Sequence, residues 1–310
     1  MSSTVTVPDI ALKSVLIAFD FSEASRKPLH HALAIARHYG AKFYFAHVVS
    51  GIGYTIAGQE ALSLAAERTR RTAQQLEQEL LANGALAGLH HEFIILEGDV
   101  WEQLEMLIRE KQVDMVVVGT HGRGPLGKLL LGSVAEQVFR HADCLVDTVG
   151  PGSYEDSLVE KPKPVRPFLF PTDFTPASLH ALPYAISFAN HFGAKLVVLH
   201  VLPVAPIPEG FHWSTTGDLT QMRDEARMAS QRQFEELNLQ NTQMAIQPEF
   251  IVKHGIPGEQ ILLASHALKA DLIILGLHRH EHIEAVSHMP WHLAYKVVCD
   301  AHCPVLTIRN

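Results

Sequence analysis

The sequence predicts two doubly wound α/β domains in tandem, each with a five-stranded parallel sheet in the order 3-2-1-4-5 and helices on both faces. Three observations predict this fold class. The chain repeats itself at an offset of 153 to 159 residues, apolar runs alternate with helical segments in each half, and 310 residues suit two domains of about 150 residues. Hydrophobic residues make up 47% of the chain, which is typical of a folded globular protein.

The repeat consists of four matched pairs of segments. Each pair joins a segment of the first half to one of the second half, and each segment contains a strand-like apolar run. The pairs are Val15–Ser22 with Phe168–Thr175, Gly40–Val48 with Gly193–Val201, Asp114–Gly119 with Asp271–Gly276, and Cys144–Val149 with Cys303–Ile308. A period this long indicates a duplicated domain and not a solenoid.

The elements of the first half follow from its apolar pattern. Continuous apolar runs predict strands buried on both faces at 13–19, 42–48, 91–96, 114–119 and 144–149. Apolar residues at helical spacing predict helices at 25–38, 59–82, 100–110 and 133–140. Strands and helices alternate with short connections, so the crossovers are expected to be right-handed and the sheet doubly wound.

A proline- and glycine-containing segment of mixed charge separates the two halves. It predicts a linker at 151–164 between a first domain at 1–150 and a second at 165–310. This division places one copy of the repeat in each domain.

Charge and composition exclude several classes of protein. The net charge is −8 and divides into −4 for each half, so no basic surface for nucleic acid is expected. The longest apolar runs are far shorter than the roughly 20 residues of a membrane-spanning helix. Three cysteines cannot form a disulfide framework and the start lacks a secretory signal, so we expect a cytoplasmic protein.

A glycine-rich segment at 119–133 follows the fourth predicted strand and indicates phosphate binding. Two familiar patterns fit it poorly. Gly122, Gly124 and Gly127 match the dinucleotide fingerprint, but that motif belongs in the first strand-to-helix turn of its domain. The same stretch is also close to a P-loop, yet Leu129 stands where a serine or threonine must contact Mg²⁺.

A wider spacing explains the segment better. It is Gly119-x2-Gly122-x9-Gly132-Ser133. Glycines let backbone N–H groups approach an anion closely, and the last pair opens a helix whose free N–H groups and dipole attract phosphate. The sequence therefore predicts a phosphate cradle that begins at Gly119 and ends at the start of a helix.

This spacing, G-x2-G-x9-G-[S/T], resembles that of the nucleotide-binding members of the universal stress protein family. The resemblance extends over nearly the whole chain twice and includes Asp20 at a strand end and the pair His47-Val48. The ending Cys303–Ile308 is similar to the C-P-V-L-x-V of the family, whereas Cys144–Val149 departs from it.

The resemblance implies a site for ATP, with or without Mg²⁺, in the first half. Strands 1 and 4 are neighbours at the switch point of such a sheet, so Asp20 can accept hydrogen bonds from ribose hydroxyls. The resemblance further implies apolar and backbone contacts to adenine from Ala18 and Val48, and contacts to ribose and phosphates from Gly119, Gly122, Gly132, Ser133 and Val134. The structural alternatives are that Asp20 only terminates a strand or caps a helix, and that Ser133 is only a helix N-cap.

The second half lacks this cradle. No glycine follows Gly276, and Trp291-His292 stand where the first half has Gly132-Ser133. We therefore predict one nucleotide per chain, bound in the first half. His278, His280 and His282 have a spacing that permits metal binding. A polar loop that has diverged in sequence explains these histidines without a metal, and no fourth ligand is identified, so we assign no metal site.

The predicted function is that of an ATP-binding regulator of the stress response. Two alternatives stay open, a slow ATP hydrolase and a non-catalytic interaction module without a nucleotide. His121, Arg123 and Lys128 are loop candidates for hydrolysis, but no spacing assigns a catalytic residue. We expect the two halves to pair within the chain as a pseudo-dimer through 146–149 and 305–308, with a homodimer left open.

Overall fold

The computed structural model describes residues 10–50, 58–120, 131–153, 166–203, 216–237, 239, 244–278 and 291–310, of which 58, 59, 216–220, 222 and 291 are described by their backbone alone. The chain divides into two compact units. The N-terminal unit contains Ala11–Pro162 and Val298–Leu306. The C-terminal unit contains Lys163–Val297, Thr307–Asn310 and Ile10. No helix within the described ranges is both long and apolar enough to cross a membrane.

The sheet of the N-terminal unit has five strands in the order β3-β2-β1-β4-β5, and each neighbouring pair is parallel. The strands are β1 (Ser14–Ala18), β2 (Lys42–Ser50), β3 (His91–Gly98), β4 (Met115–Gly119) and β5 (Leu145–Val149). The predicted order 3-2-1-4-5 is therefore confirmed for this unit.

The central strands of this sheet are covered on both faces. Val15, Leu16 and Ile17 follow one another along β1 and each has 0% of its surface exposed. Because successive side chains of a strand point to opposite faces, a run of fully buried residues requires packing on both sides. Continuous apolar runs thus indicated buried parallel strands, as the sequence predicted.

Four helices connect the strands of the N-terminal unit. They are α1 (Arg26–Tyr39), α2 (Gly58–Ala82), α3 (Val100–Glu110) and α4 (Ser133–His141), and a short 3-10 turn at Glu23–Ser25 precedes α1. The C-cap of α1 is Gly40, whose φ of +63° lies in the left-handed region that favours glycine. Helix α3 begins after Asp99, whose carboxylate accepts the N–H groups of Trp101 and Glu102.

The second copy of the repeat has the same arrangement, with its strands in the order β10-β9-β6-β7-β8, although its residues 298–306 belong to the N-terminal unit. The strands are β6 (Phe168–Pro171), β7 (Leu196–Leu202), β8 (Glu249–His254), β9 (Leu272–Leu277) and β10 (Val305–Arg309). The helices are α5 (Pro176–Phe192), α6 (Thr216–Glu236), α7 (Pro257–Leu268) and α8 (Trp291–Asp300). Counted from β6, this is again the predicted order 3-2-1-4-5.

One pairing is shorter in the C-terminal unit than in its counterpart. Strands β1 and β4 are paired through four residues of β1, from Val15 to Ala18, whereas β6 and β9 are paired only through Phe168 and Leu169. The counterpart of Ala18 is Pro171. Proline has no backbone N–H to donate to a neighbouring strand, which explains the early end of this pairing.

Acidic side chains hold the strand starts at the opposite edge of each sheet. Asp114, just before β4, accepts the N–H groups of Lys13 at 2.7 Å and Ser14 at 2.9 Å. Asp271, just before β9, likewise accepts the N–H of Arg166 at 2.8 Å. Burial raises the pKa of the Asp271 carboxyl above its ordinary value, although the Arg166 hydrogen bond opposes this shift.

Candidate functional site

The candidate site lies at the carboxyl edge of the N-terminal unit's sheet, where β1 and β4 end side by side. Ala18 is aligned with Val118 of β4 and with Ala46 of β2. Gly119, the last residue of β4, therefore lies next to the chain that leaves β1. In doubly wound sheets this crevice between two central strands is where ligands bind.

Asp20 is positioned by a tight turn directly after β1. Its Oδ1 accepts the N–H of Ser22 at 2.9 Å, and Phe21 between them has a φ of +60°. A bulky side chain rarely adopts this conformation, so the turn is strained and its shape is fixed by its surroundings. Asp20 is partly exposed and lies at the crevice. The turn hydrogen bond is a structural role for Asp20, and it leaves the second carboxylate oxygen outside this turn.

His47 connects the ends of β1 and β2. Its Nδ1 lies 2.6 Å from the carbonyl oxygen of Phe19, and because a carbonyl oxygen only accepts, Nδ1 carries the proton. The imidazole also contacts the Phe21 ring edge to face at 5.0 Å. The next residue, Val48, is partly exposed and aligned with Leu96 of β3. His47 thus orients the strand end that carries Val48, a role that the sequence pattern did not assign.

The two ends of the glycine-rich segment are joined by a backbone hydrogen bond. Gly132 N–H donates to the carbonyl oxygen of Thr120 at 2.8 Å, and Thr120 N–H donates to Val149 at 3.1 Å. Thr120 is fully buried. The structure therefore brings Gly119 and Gly132 to the same place, at the end of β4. Gly122, together with His121, Arg123 and Lys128, lies outside the described residues.

Helix α4 begins at this junction. Its N-cap is Gly132, which has no side chain to accept the free N–H groups of the first turn, and Ser133 is the first helical residue. The alternative that Ser133 is only an N-cap is therefore wrong. Ser133 is exposed and Val134 is partly exposed. The first-turn N–H groups and the positive end of the helix dipole are an anion-binding arrangement.

The C-terminal unit keeps the strand-end turn of this site. Asp173 accepts the N–H of Thr175 at 3.0 Å, Phe174 has a φ of +62°, and His200 Nδ1 donates to the carbonyl of Thr172 at 2.8 Å. The Oδ2 of Asp173 is buried without a hydrogen-bond partner. Because the turn recurs in both units, it belongs to the fold and does not by itself distinguish a working site.

In the described residues, the two units differ at the start of the helix that follows the fourth strand of each sheet. Residues 279–290, which include His280 and His282, lie outside the described part of the chain, and α8 begins at Trp291 with an exposed His292. Among the described residues, no group of three or more His, Cys, Asp or Glu is close enough to hold a metal ion. A glycine N-cap like Gly132 is thus described only for the N-terminal unit.

Two tandem α/β units, each with an aspartate turn after its first strand, define the class of doubly wound α/β proteins. Comparison with known proteins identifies the family. The model of the universal stress protein family matches residues 11–149 and again 164–309. The chain therefore belongs to the universal stress protein family, in a tandem form.

Individual relatives agree with this assignment. A universal stress protein from Mycolicibacterium smegmatis is 24% identical over 303 residues, which cover 95% of this chain and 96% of the relative. Universal stress protein MJ0531 from Methanocaldococcus jannaschii is 28% identical over 135 residues, 43% of this chain and 79% of that protein. The crystal structure of a universal stress protein from Archaeoglobus fulgidus superposes with a TM-score of 0.66 at 19% identity, covering 97% of this chain and 99% of the other.

Proposed function

We propose that this chain binds ATP in its N-terminal unit and acts as a nucleotide-dependent regulator of a stress response in the cytoplasm. The hydrogen bond from Gly132 N–H to Thr120 O carries this proposal. It sets the first turn of α4 beside the end of β4, one strand away from Asp20. Phosphates and ribose hydroxyls are the two groups that such a pair of features would bind.

The chemical roles follow from the properties of each group. The N–H groups at the start of α4 and the positive helix end favour phosphate, which is anionic. The Asp20 carboxylate accepts hydrogen bonds from ribose hydroxyls, which are donors. Ala18 and Val48, both partly exposed, offer apolar contact for adenine at the ends of β1 and β2. Gly119 and Gly122 are proposed to complete the cradle.

One nucleotide per chain is proposed, because the C-terminal unit has the aspartate turn without the glycine cradle. Its position equivalent to Ala18 is Pro171, and its position equivalent to Gly132 is Trp291. Bulky residues prevent the close approach of backbone N–H groups to phosphate. The C-terminal unit is accordingly assigned a structural or separate role.

The equivalent aspartates of the two units provide a matched test. We expect Asp20→Asn to weaken ATP binding at least about tenfold, since a hydrogen bond to a charged group is lost. We expect Asp173→Asn to leave the affinity unchanged. Either asparagine keeps an Oδ1 that accepts the turn N–H of Ser22 or Thr175. Isothermal titration calorimetry with ATP measures both affinities and the stoichiometry.

Circular dichroism spectra that match those of the wild type would show that both variants are folded. An equal loss of affinity in the two variants would contradict the assignment of the site to the N-terminal unit. Unchanged binding in Asp20→Asn would contradict the role of this carboxylate.

A further inference from the structure

The base of the glycine-rich segment packs against residues from the far end of the chain. A β-carbon at Gly150 would lie 3.5 Å from Thr120 Oγ1 and 3.5 Å from the carbonyl oxygen of Ala301. Thr120, Gly150 and Ala301 therefore meet at one buried point of the N-terminal unit. Thr120 is also the residue whose carbonyl accepts Gly132 N–H and so closes the segment.

Residues 298–306, which include Ala301, are part of the N-terminal unit. One hydrogen bond holds this segment, which we call the C-terminal segment, and His302 of the segment lies close to Gly152. Thr148 Oγ1 donates to the carbonyl oxygen of Val305 at 3.1 Å, in a buried environment. A β-carbon at Gly152 would lie 3.3 Å from Nδ1 of His302. The C-terminal segment is thus anchored to β5 and to the residues that follow it.

The turn that follows β5 is itself fixed. Ser153 N–H donates to the carbonyl oxygen of Gly150 at 3.1 Å, and Lys27 of α1 donates from Nζ to the carbonyl oxygen of Pro151 at 3.2 Å. Thr120 N–H donates to the carbonyl oxygen of Val149, and the neighbouring Thr148 donates to Val305 of the C-terminal segment. The end of β5 therefore holds both the C-terminal segment and Thr120, and a displacement there would move both.

We propose that the C-terminal segment is an internal regulatory element that supports the binding loop at Thr120, so that ligand occupancy and docking of the segment stabilise each other. For nucleotide as the ligand, this rests on the proposed function. Coupling of this kind is reciprocal: a ligand that tightens the loop protects the segment, and loosening the segment weakens the ligand by the same factor. The docking of residues 298–306 would therefore depend on whether the N-terminal site is occupied.

Thr148→Val tests the coupling from outside the binding loop. Valine matches threonine in shape and removes the donor to Val305, so the segment is loosened without a change at Thr120 or Gly132. We expect amide hydrogen exchange of residues 298–306 and of Gly132 to accelerate together by about fivefold, the effect of one lost hydrogen bond. The affinity for ATP should fall by a similar factor.

Thr69→Val is the matched control. The Thr69 hydroxyl also donates to a carbonyl, that of Ala65 in the same helix, at 2.9 Å. This variant should leave exchange at Gly132 and ATP affinity as in the wild type. In Thr148→Val, amides of α2 report any uniform loss of stability, and in Thr69→Val amides of α3 do so.

Four outcomes separate the two hypotheses. Faster exchange in the C-terminal segment with unchanged exchange at Gly132 would overturn the coupling, as would equal acceleration throughout α2. Joint acceleration in a protein that binds no ATP would support the coupling and contradict the proposed function. ATP binding to the wild type that leaves exchange of residues 298–306 unchanged would contradict the coupling alone.

Discussion

A glycine at the end of the fourth strand of each unit can serve packing or ligand binding, and Gly276 is needed for packing. A β-carbon at Gly276 would overlap the carbonyl oxygen of Ala177 and lie 2.7 Å from the Cα of Ser178, at the start of α5. The C-terminal unit has therefore kept this glycine for packing, although the later glycines of the cradle are absent. Gly119 is its counterpart, so a strand-end glycine alone does not distinguish packing from ligand binding.

Gly276→Ala should destabilise the protein by about 2–3 kcal/mol, because the overlapping atoms belong to the backbone and must shift. Gly150→Ala is the control. Its β-carbon would have ordinary contacts at 3.5 Å, so its stability should stay within about 0.5 kcal/mol of the wild type. Urea denaturation followed by circular dichroism measures both. Equal stability of the two variants would contradict the packing explanation.

The departure of the first half from the family's closing pattern has a structural reason at Asp147. Its Oδ2 lies 2.7 Å from Nε2 of His31, and both side chains are at most 4% exposed. His31 is 116 residues away in sequence, on α1. No local pattern predicts such a pair, since the alternation of apolar residues says nothing of a partner on another element. The counterpart of Asp147 in the second unit is Leu306, so the pair is a particular feature of the N-terminal unit.

At the level of elements, the sequence predicted the strands and helices of the N-terminal unit closely, but it did not predict the short turn before α1. Continuous apolar runs and helical spacing are properties of an element's own residues, and α3 begins and ends at the predicted residues 100 and 110. The start of α1 differs, because a 3-10 turn at Glu23–Ser25 replaces the predicted helical residue 25. That turn depends on a bond from Ser25 N–H to Ser22 O, which helical spacing does not reveal.

Two acidic groups near the amino ends of the strands have carboxyl pKa values that are shifted in opposite directions. Burial raises the pKa of Asp271. For Glu92 of β3, burial acts in the same direction but the hydrogen bonds and charges of Lys111 and Lys42 prevail, so its pKa is lowered. The Lys111 and Lys42 ammonium nitrogens lie 3.2 Å and 3.4 Å from the Glu92 oxygens. Glu92 links β3 to Lys42 of β2 and to Lys111 after α3, and Asp271 links the start of β9 to Arg166 before β6.

These shifts predict opposite effects of pH in two neutral variants. A raised carboxyl pKa means that the folded state binds the proton more tightly. The contribution of Asp271 to the free energy of unfolding therefore falls as pH rises above the ordinary carboxyl pKa of about 4. Asp271→Asn should therefore gain stability relative to the wild type between pH 4 and neutrality. A lowered pKa has the opposite sign, so Glu92→Gln should be less stable than the wild type above the ordinary carboxyl value of 4.5, and this difference should shrink as pH falls from there through the lowered pKa of Glu92.

Urea midpoints measured at several pH values test this pair. The stability difference for Asp271→Asn should grow as pH rises above the ordinary carboxyl pKa, and the difference for Glu92→Gln should shrink as pH falls below it. Curves for the two variants that run parallel to the wild type would contradict the electrostatic account.

At the scale of the whole molecule, the repeat predicted two similar sheets because each copy contains the full set of elements. The strand order 3-2-1-4-5 was predicted as an order typical of doubly wound sheets, because right-handed crossovers alone do not fix it. The membership of residues 298–306 in the N-terminal unit was not predicted. The hydrogen bond from Thr148 to Val305, 157 residues apart, lies within the segments 146–149 and 305–308 that were expected to pair, but that expectation did not assign residues 298–306 to the N-terminal unit.

We propose that the two copies of one fold have become unequal, with one nucleotide site in the N-terminal unit. The strand-end turns are alike in both units. The glycine spacing of the two halves led to this prediction, whereas the hydrogen bond that joins Thr120 and Gly132 required the structure.

The most direct measurement is a count of the nucleotide bound by the purified full-length protein. The protein is incubated with excess ATP, freed of unbound ligand and denatured, and the released nucleotide is identified by mass and quantified against the chain. We predict close to one equivalent of ATP or ADP per chain. Two equivalents would contradict the assignment of the C-terminal unit, and none at all would contradict nucleotide binding and favour an interaction module.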